Sequence, residues 1–346
     1  MNANMITDTD INPNPARSVT ANALMPVPMH AIFRSEEWHY WGGSALPHEG
    51  RWYRIFARWP KSRSFEAWVT HSEIACAVGD SPLGPWKDIR TLLGWEETPA
   101  WDAHNFHNPL PLYAEGKFWI FYTGNYGDGT FWNHRNHQRI GVAWATHPFG
   151  PWHRLDRPIV DTSANQWDHL LAGCPIVAQG PDGLYRMIYK GVSKGELPRG
   201  GTVRFGSALA EHPAGPWKKE KGTFFCKEGV HFTTDDNYFW YENGCYHAIV
   251  KDYGSHYQNK AKEALVLFTS PDAKSWDLAA GDPVLTLFEL QFESGHKGPF
   301  HRLEQPQLVR DEQEKAVALC LSIKENPDEI NTDVSYTVMV PLKEKR

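Results

Sequence analysis

The chain has 346 residues, of which 41% are hydrophobic, and a formal net charge of −6, so its length and apolar content allow a sizeable folded core. No cluster of Lys and Arg stands out, which argues against nucleic acid as a partner. No apolar run reaches the roughly 18 residues that a membrane-spanning helix needs. The 5 Cys are scattered without CxxC spacing, which predicts reduced thiols and neither a disulfide framework nor a zinc site.

The first part of the chain differs in composition from the rest. It is polar and rich in Asn, Asp, Thr and Pro, which predicts a flexible N-terminal arm over residues 1–25 that could also reach a second subunit and form a homodimer. A single domain is predicted over residues 26–346. The arm has no apolar segment of the secretory type, so the expected location is cytoplasmic, or periplasmic or secreted if a signal was trimmed.

A short segment containing Pro and Trp recurs along the chain. Its four copies end at Trp86, Trp152, Trp217 and Trp276, which lie 66, 65 and 59 positions apart. A fixed period of this length indicates a repeated supersecondary unit. Between the copies, short aromatic and β-branched segments follow Gly-containing turns, which predicts antiparallel strands.

The repeats align with one another. Each unit has an aromatic second strand, and the first four are predicted at residues 51–56, 117–122, 184–189 and 245–250. With a fifth unit near the C-terminus, the pattern predicts an all-β, five-bladed β-propeller with four-stranded antiparallel blades around a central axial pocket. The apolar residues 29–33 are predicted to add a closing strand to the last blade and so remove an exposed edge.

Carboxylates near the starts of the inner strands are the first candidates for chemistry. Glycoside hydrolysis needs two of them, one to protonate the leaving oxygen and one to activate water or attack the sugar. Asp236 and Glu304 are the predicted pair, with Asp102 and Glu73 in reserve. The alternative is structural, because the Asp-Asp-Asn run at Asp236 is also ordinary turn chemistry and a neighbouring blade could satisfy Glu304.

Histidines are dense near the predicted strand starts. His107, followed by Asn108, lies in an inner strand and could donate a proton or bind substrate, or it could be a core histidine bonded to a backbone carbonyl. His134 and His137 lack a Cys or carboxylate partner at zinc-site spacing, so we expect them to bind sugar hydroxyls. No metal or cofactor is predicted, and an axial divalent ion or water is left open.

Cations and tryptophans complete the predicted site. Arg58 and Lys251 each follow a second strand, and a cation near the axis would suit an anionic or sulfated sugar, although exposed loop charge is the alternative. Trp41, Trp101 and Trp132 are the candidates for stacking on sugar rings. The sequence contains no phosphate-binding loop, G-x-S-x-G elbow or H-E-x-x-H motif, which argues against nucleotide, serine-hydrolase and zinc-protease chemistry.

Five motifs occur together in the order found in one group of enzymes. They lie at residues 57–60, 70–74, 107–109, 133–143 and 246–252. On these motifs the chain resembles bacterial five-bladed propeller glycoside hydrolases of family 117 and of the broader family 43 group. The resemblance runs from about residue 36 to the C-terminus. It implies a retaining or inverting glycosidase that removes terminal sugars, often from algal or plant polysaccharides, without naming the sugar.

The chain departs from these enzymes at several axial positions. Residues 234–237 read Thr-Asp-Asp-Asn where Glu-Asp-Pro is usual, and Gln305 replaces the Arg that usually follows the blade-five Glu. The blade-one Asp and blade-three Glu of family 43 are also replaced, so its catalytic triad cannot be carried over and the nearer relation is to family 117. Without that Arg, we expect Glu304 to lose a partner that favours its ionised form and to become the easier proton donor.

Three functions are compatible with this pattern. The first is an exo-glycosidase acting on an oligosaccharide, with Asp236 as general base or electrostatic stabiliser and Glu304 as general acid or its partner. The second is a propeller glycosidase or lyase that uses His107 or His231 as the acid. The third is a carbohydrate-binding propeller that has lost turnover.

Overall fold

The computed structural model describes residues 19–259, 261–327 and 334–343. These residues form five four-stranded antiparallel sheets. The inner strand of each sheet packs against the inner strands of both neighbouring sheets, so the sheets close into a ring. The five-bladed β-propeller predicted from the sequence repeat is confirmed.

The strands are named in chain order. They are β1 (Ile32–Phe33); in blade one β2 (Trp38–His48), β3 (Arg51–Pro60), β4 (Glu73–Gly79) and β5 (Lys87–Leu93); in blade two β6 (Asn105–Ala114), β7 (Lys117–Asn125), β8 (Arg139–Ala145) and β9 (His153–Arg154); in blade three β10 (Leu171–Gln179), β11 (Tyr185–Val192), β12 (Val203–Ala210) and β13 (Lys218–Lys219); in blade four β14 (Thr234–Glu242), β15 (Cys245–Asp252), β16 (Ala264–Ser270) and β17 (Asp277–Leu278); and in blade five β18 (Arg302–Arg310), β19 (Ala316–Lys324) and β20 (Ser335–Pro341). Two short helices, α1 (Trp68–His71) and α2 (Phe131–Asn136), lie in loops of blades one and two, and 3₁₀ turns occur at Ala21–Ala23, Met29–Ala31 and Phe65–Ala67.

The ring closes through the N-terminal part of the chain. Strand β1 pairs antiparallel with β20 and becomes the fourth strand of blade five. The closing strand predicted from residues 29–33 is therefore present but shorter, because Met29–Ala31 form a 3₁₀ turn. The preceding residues also pack on this blade, because Val19 is fully buried and Leu24 pairs with Leu342. The predicted arm therefore does not extend to residue 25, and its residues 1–18, with the dimer contact assigned to them, lie outside the described residues.

The repeated Pro- and Trp-containing segments are turns between the third and fourth strands of blades one to four. In blade two the indole N–H of Trp152 donates to the carbonyl of Pro148, and in blade three Trp217 donates to Pro213, both at 3.1 Å. The Trp217 ring also meets Phe121 of the preceding blade edge to face at 5.9 Å. The period seen in the sequence thus marks the outer seam between blades.

A buried polar cluster connects the strands inside blade two. Asp102 is 1% exposed, accepts a hydrogen bond from the Tyr122 hydroxyl at 2.6 Å and lies 3.3 Å from the Arg154 guanidinium. Trp101 stacks on the same tyrosine. Blade three repeats this arrangement with Trp167, Asp168, Tyr189 and Lys219. Because a buried carboxylate needs such partners, the Trp-Asp dipeptide before an inner strand belongs to the blade interior.

The inner strands share one irregularity at the same end. In each, the pairing with the second strand breaks, between Trp41 and Ser44 in blade one and at the equivalent places in the others. A residue with positive φ occupies each break: Gly42 at 60°, Asn108 at 49°, Cys174 at 52°, Asp236 at 33° and Gln305 at 54°. Bulges of this kind redirect side chains and are frequent next to active sites. These five positions surround one end of the propeller axis.

The blade-one bulge generates a test of this geometry. Gly43 and Gly50 both have positive φ, 80° and 72°, but a Cβ on Gly43 would collide with the Ile55 carbonyl, whereas one on Gly50 meets nothing within 4 Å. Gly50→Ala should cost about 1 kcal/mol for left-handed backbone alone. Gly43→Ala should cost at least about 3 kcal/mol more, or abolish folding, because backbone atoms must move. Urea unfolding of both variants measures the difference, and equal costs would contradict a packed bulge.

Candidate active site

A cavity of about 260 Å³ lies at the bulged end of the axis. Blades three, four and five supply a polar wall to it, and blade one with its following loop supplies an aromatic wall of Trp41, Trp59, Phe65 and Trp68. Beneath the cavity, the Gln307 amide of blade five donates to the Pro109 carbonyl of blade two at 3.1 Å. This bond joins two blades that are not neighbours and so crosses the axis below the cavity.

Two lysines connect successive blades at the polar wall. Lys190 of β11 reaches Asp235 of blade four, with 2.6 Å between Nζ and Oδ1. Lys251 of β15 reaches Glu304 of blade five at 2.5 Å and also Glu263 at 2.8 Å. Both lysines lie on second strands, opposite the residue that precedes the bulge of their own blade. Each therefore pairs with a carboxylate at the bulge of the next blade.

Hydroxyl groups make the same connection elsewhere in the ring. Thr123 of blade two accepts the backbone N–H of Cys174 at 2.8 Å, and Ser322 of blade five accepts the N–H of Gly42 at 2.7 Å. Both lie at the second-strand position of the two lysines. In blade one that position is Ala57, whose methyl group cannot form a hydrogen bond. Four of the five junctions therefore share one polar contact, and the junction between blades one and two differs.

His107 lies at this exceptional junction. Its Nδ1 is 2.9 Å from the Ser72 hydroxyl, and its ring packs 4.9 Å from that of Trp68 and 5.5 Å from that of Trp59. Burial, with a smaller contribution from the Lys190 charge, lowers the pKa of His107 to about 3. The imidazole is therefore neutral at ordinary pH and contributes a polar edge to the aromatic wall.

Asp236 occupies the blade-four bulge and is 5% exposed. Its carboxyl group accepts hydrogen bonds from the Gln305 side-chain amide at 2.5 Å and from the Gln305 backbone N–H at 3.2 Å. Burial raises the pKa of Asp236 to about 8, with further contributions from the charges of Asp235 and Glu304. For Asp235 burial acts in the same direction, but the Lys190 ammonium outweighs it and lowers the pKa of Asp235. The site thus holds a proton on Asp236 beside ionised Asp235.

Cys174 and Asn108 occupy the bulges of blades three and two. The Asn108 amide donates to the Cys174 sulfur at 2.8 Å. Burial raises the pKa of the Cys174 thiol to about 12, so the thiolate that a nucleophile requires is scarce near neutral pH. This pair shapes the pocket between the two walls.

The structure brings together six of the residues predicted from the sequence and places the others elsewhere. The residues that line the cavity are Trp41, His107, Asn108, Asp236, Lys251 and Glu304. Arg58 instead pairs with Glu73 at 2.6 Å and covers the ring of Trp38. This ion pair lies beside the outer strand β5, where Arg58 also donates a hydrogen bond to the Thr91 hydroxyl.

Four more of the predicted residues serve blade two. Asp102 belongs to the buried cluster with Tyr122, as does Trp101. His134 is fully buried, with Nδ1 2.8 Å from the Asn125 side-chain oxygen and Nε2 accepting the Gly129 N–H at 3.0 Å. His137 stacks on Tyr126 at 4.7 Å. The hydrogen bonds of His134 and the ring contact of His137 hold the loop that carries α2.

Sequence reasoning missed several charged residues that line the cavity, among them Lys190 and Asp235. The predicted second strands end at Tyr189 and Val250, and extending both by one residue aligns Lys190 with Lys251. The absence of the usual Arg predicts that Glu304 has no cationic partner, but this is wrong, because Lys251 supplies one from the neighbouring blade. A contact between blades cannot be seen in the local sequence of either blade.

The side chains that could act as metal ligands at the axis form ion pairs within the protein instead. Among the residues that the structure describes, no group of three or more His, Cys, Asp or Glu side chains is arranged to hold a metal ion. The axial carboxylates Asp235 and Glu304 are paired with lysine ammonium groups at 2.6 and 2.5 Å.

In the same described part of the chain, no helix is both long and apolar enough to cross a membrane.

Comparison with solved structures finds the same fold with distant sequences. A structure of a BT0996 RGII complex superposes with a TM-score of 0.64 at 15% identity, covering 94% of this protein and 93% of that one. A family 117 glycoside hydrolase from Zobellia galactanivorans gives 0.64 at 14% identity, covering 92% and 89%. An endo-arabinase from Bacteroides thetaiotaomicron gives 0.58 at 12% identity, covering 92% and 98%. These likenesses establish the five-bladed fold.

No protein-family model matches the sequence, and no curated protein aligns with it.

The lysine contacts between blades predict a stability effect. Lys190→Met would leave Asp235 charged and without its partner, which should cost about 3 kcal/mol of unfolding free energy. The double variant Lys190→Met with Asp235→Asn should recover most of this loss, because a neutral amide needs no countercharge. Urea unfolding at pH 7 measures both. Equal stability of the single and double variants would contradict a structural role for the ion pair.

Proposed function

We propose that the protein is a glycoside hydrolase whose general acid is Asp236. The observation that carries this proposal is a carboxyl group with its pKa raised to about 8 in one pocket with Glu304, which Lys251 binds at 2.5 Å. Two carboxyl groups whose surroundings separate their protonation states are the equipment for acid and base steps on a glycosidic bond. The fold shared with solved glycoside hydrolases supports the same activity.

The roles follow from the charges in the pocket. Asp236 protonates the leaving oxygen, and Glu304 either activates a water molecule or attacks the sugar. This exchanges the roles expected from the sequence, because the positive charge thought to be missing beside Glu304 comes from Lys251. Asp235, paired with Lys190, keeps a negative charge next to Asp236 and so helps it to retain its proton.

The substrate proposed is an oligosaccharide from a plant or algal polysaccharide, cleaved at a terminal sugar. The shape of the site supports exo-action, because the cavity of about 260 Å³ lies at one end of the axis and the bond from Gln307 to Pro109 crosses the axis beneath it. The aromatic wall offers Trp41 and Trp68 to the apolar face of a sugar ring, and the polar wall faces them. The named neighbours include an endo-arabinase and an RGII complex, so arabinan and pectin are the first polysaccharides to test.

A histidine acid is the weaker candidate. The pKa of His107 is lowered to about 3 by burial, so this imidazole carries no proton to transfer as an acid near neutral pH. The pKa of His231 is also lowered, by burial and by the charges of Arg199 and Arg135. An efficient acid needs a pKa near the working pH, which Asp236 has and His107 lacks.

The direct test is product analysis on oligosaccharides from arabinan, pectin, agar, carrageenan and ulvan. Wild type should release one monosaccharide, and Asp236→Asn should lower kcat by about 10²- to 10⁴-fold because the proton donor is lost. Glu73→Gln is the matched control, since this carboxylate pairs with Arg58 away from the cavity. Hydrolysis that survives Asp236→Asn would remove Asp236 from the mechanism, and binding without any product would leave a carbohydrate-binding propeller.

The pH profile provides a separate prediction. Activity should fall above about pH 8, where Asp236 loses its proton. Asp235→Asn removes a like charge next to Asp236 and should therefore move this basic limb to lower pH. The profile of kcat/KM against pH measures the limb in both proteins. If the basic limb does not move in Asp235→Asn, the limb reports the titration of a group other than Asp236.

A further inference from the structure

An unbroken line of aromatic rings leads out of the cavity between blades one and two. Trp68 lines the cavity, its ring meets Phe131 at 6.2 Å, and Phe131 meets Trp132 at 5.2 Å. Successive rings are turned edge to face, by 89° and 88°. We name these three residues the aromatic ridge. It begins at the pocket wall and ends at the protein surface.

The outer end of the ridge is exposed. Trp132 is 40% exposed, and the Arg135 guanidinium lies 5.5 Å from the centre of its ring. Large apolar side chains on a surface become informative when they adjoin a polar rim or a ligand groove. An indole covered on one side by a guanidinium presents a flat apolar face next to hydrogen-bond donors, a combination suited to sugars.

The ridge is held on a fixed platform. His134 anchors α2 from below through Asn125 and the Gly129 N–H. Arg135 donates to the Arg199 carbonyl at 2.9 Å, which ties the helix to the loop of blade three. Binding to Trp132 therefore costs little ordering entropy, since the helix is already fixed in position. The helix Phe131–Asn136 has only six residues, so these contacts outside the helix hold it in place.

We infer that the aromatic ridge binds the sugar units that follow the terminal one in a linear oligosaccharide. This inference rests on the proposed function, because it takes the cavity to hold the sugar that is released. The ridge adjoins the cavity wall, so a chain with its end in the pocket leaves along these rings. The protein then acts on oligosaccharides longer than a disaccharide in preference to short glycosides.

The test compares chain lengths in Trp132→Ala. With oligosaccharides from arabinan and pectin, KM for the longer chains should rise about tenfold, as expected for the loss of one aromatic contact. Because Trp132 is the outer end of the ridge, the second sugar meets the inner rings first, so KM for the disaccharide and kcat for every length should stay unchanged. Trp132→Phe should restore most of the preference. Tyr113→Ala is the matched control, because this aromatic is 56% exposed and lies at the opposite end of the propeller.

Binding to the inactive Asp236→Asn protein separates this inference from the proposed function. Calorimetric titration with the same oligosaccharides should give tighter binding for longer chains, and this gain should vanish when Trp132→Ala is added. If wild type hydrolyses the oligosaccharides but Trp132→Ala has the same effect on KM at every chain length, the ridge is overturned and the glycosidase activity stands. Length-dependent binding without hydrolysis by wild type would support the ridge and overturn the enzyme. Absence of both binding and hydrolysis would overturn both.

Discussion

The bulge in every inner strand is the constraint on which the rest of the structure depends. Residues such as Cys174 and Gln305 have positive φ there, a conformation that costs about 1 to 3 kcal/mol for a residue other than glycine. Such strain persists only where the surroundings determine it. The surroundings here are the second strands of preceding blades, whose side chains bind the bulge of the next blade, as Thr123 does for Cys174. Ring closure and the pocket therefore depend on the same contacts.

The chemistry of the pocket follows from the types of side chain that make those contacts. Where the second strand supplies a lysine, the carboxylate of the next blade is neutralised, as in the pair of Lys190 with Asp235. Asp236 accepts the Gln305 amide, which carries no charge to offset burial. A carboxyl group in that position retains its proton when its neighbours are ionised. The acid is thus defined by its neighbours, and the aspartate alone does not determine its role.

This dependence explains how far the sequence could be interpreted. The repeat predicted the blades because strand periodicity and turn residues are local properties of the chain. Asp102 and Asp236 look alike as aspartates near strand starts, but Asp102 precedes β6 and enters the blade interior, whereas Asp236 lies within a bulge of β14. A bulge has no fixed sequence pattern, since Gly, Asn, Cys, Asp and Gln all occupy it here. Lys190 could have been found by extending the blade alignment, whereas its partner in the next blade could not.

The exceptional junction accounts for the two-sided character of the pocket. Ala57 occupies the second-strand position that elsewhere carries Thr, Lys or Ser, so blade one cannot bind blade two by the shared polar contact. At this junction the hydrogen bond between Ser72 and His107 and the packing of the Trp68 ring on His107 take the place of that contact. An aromatic wall therefore stands across the axis from the charged wall, and the ridge to the surface starts at this junction. A sugar ring has an apolar face and a hydroxylated edge, and a site with one wall of each kind can bind both at once.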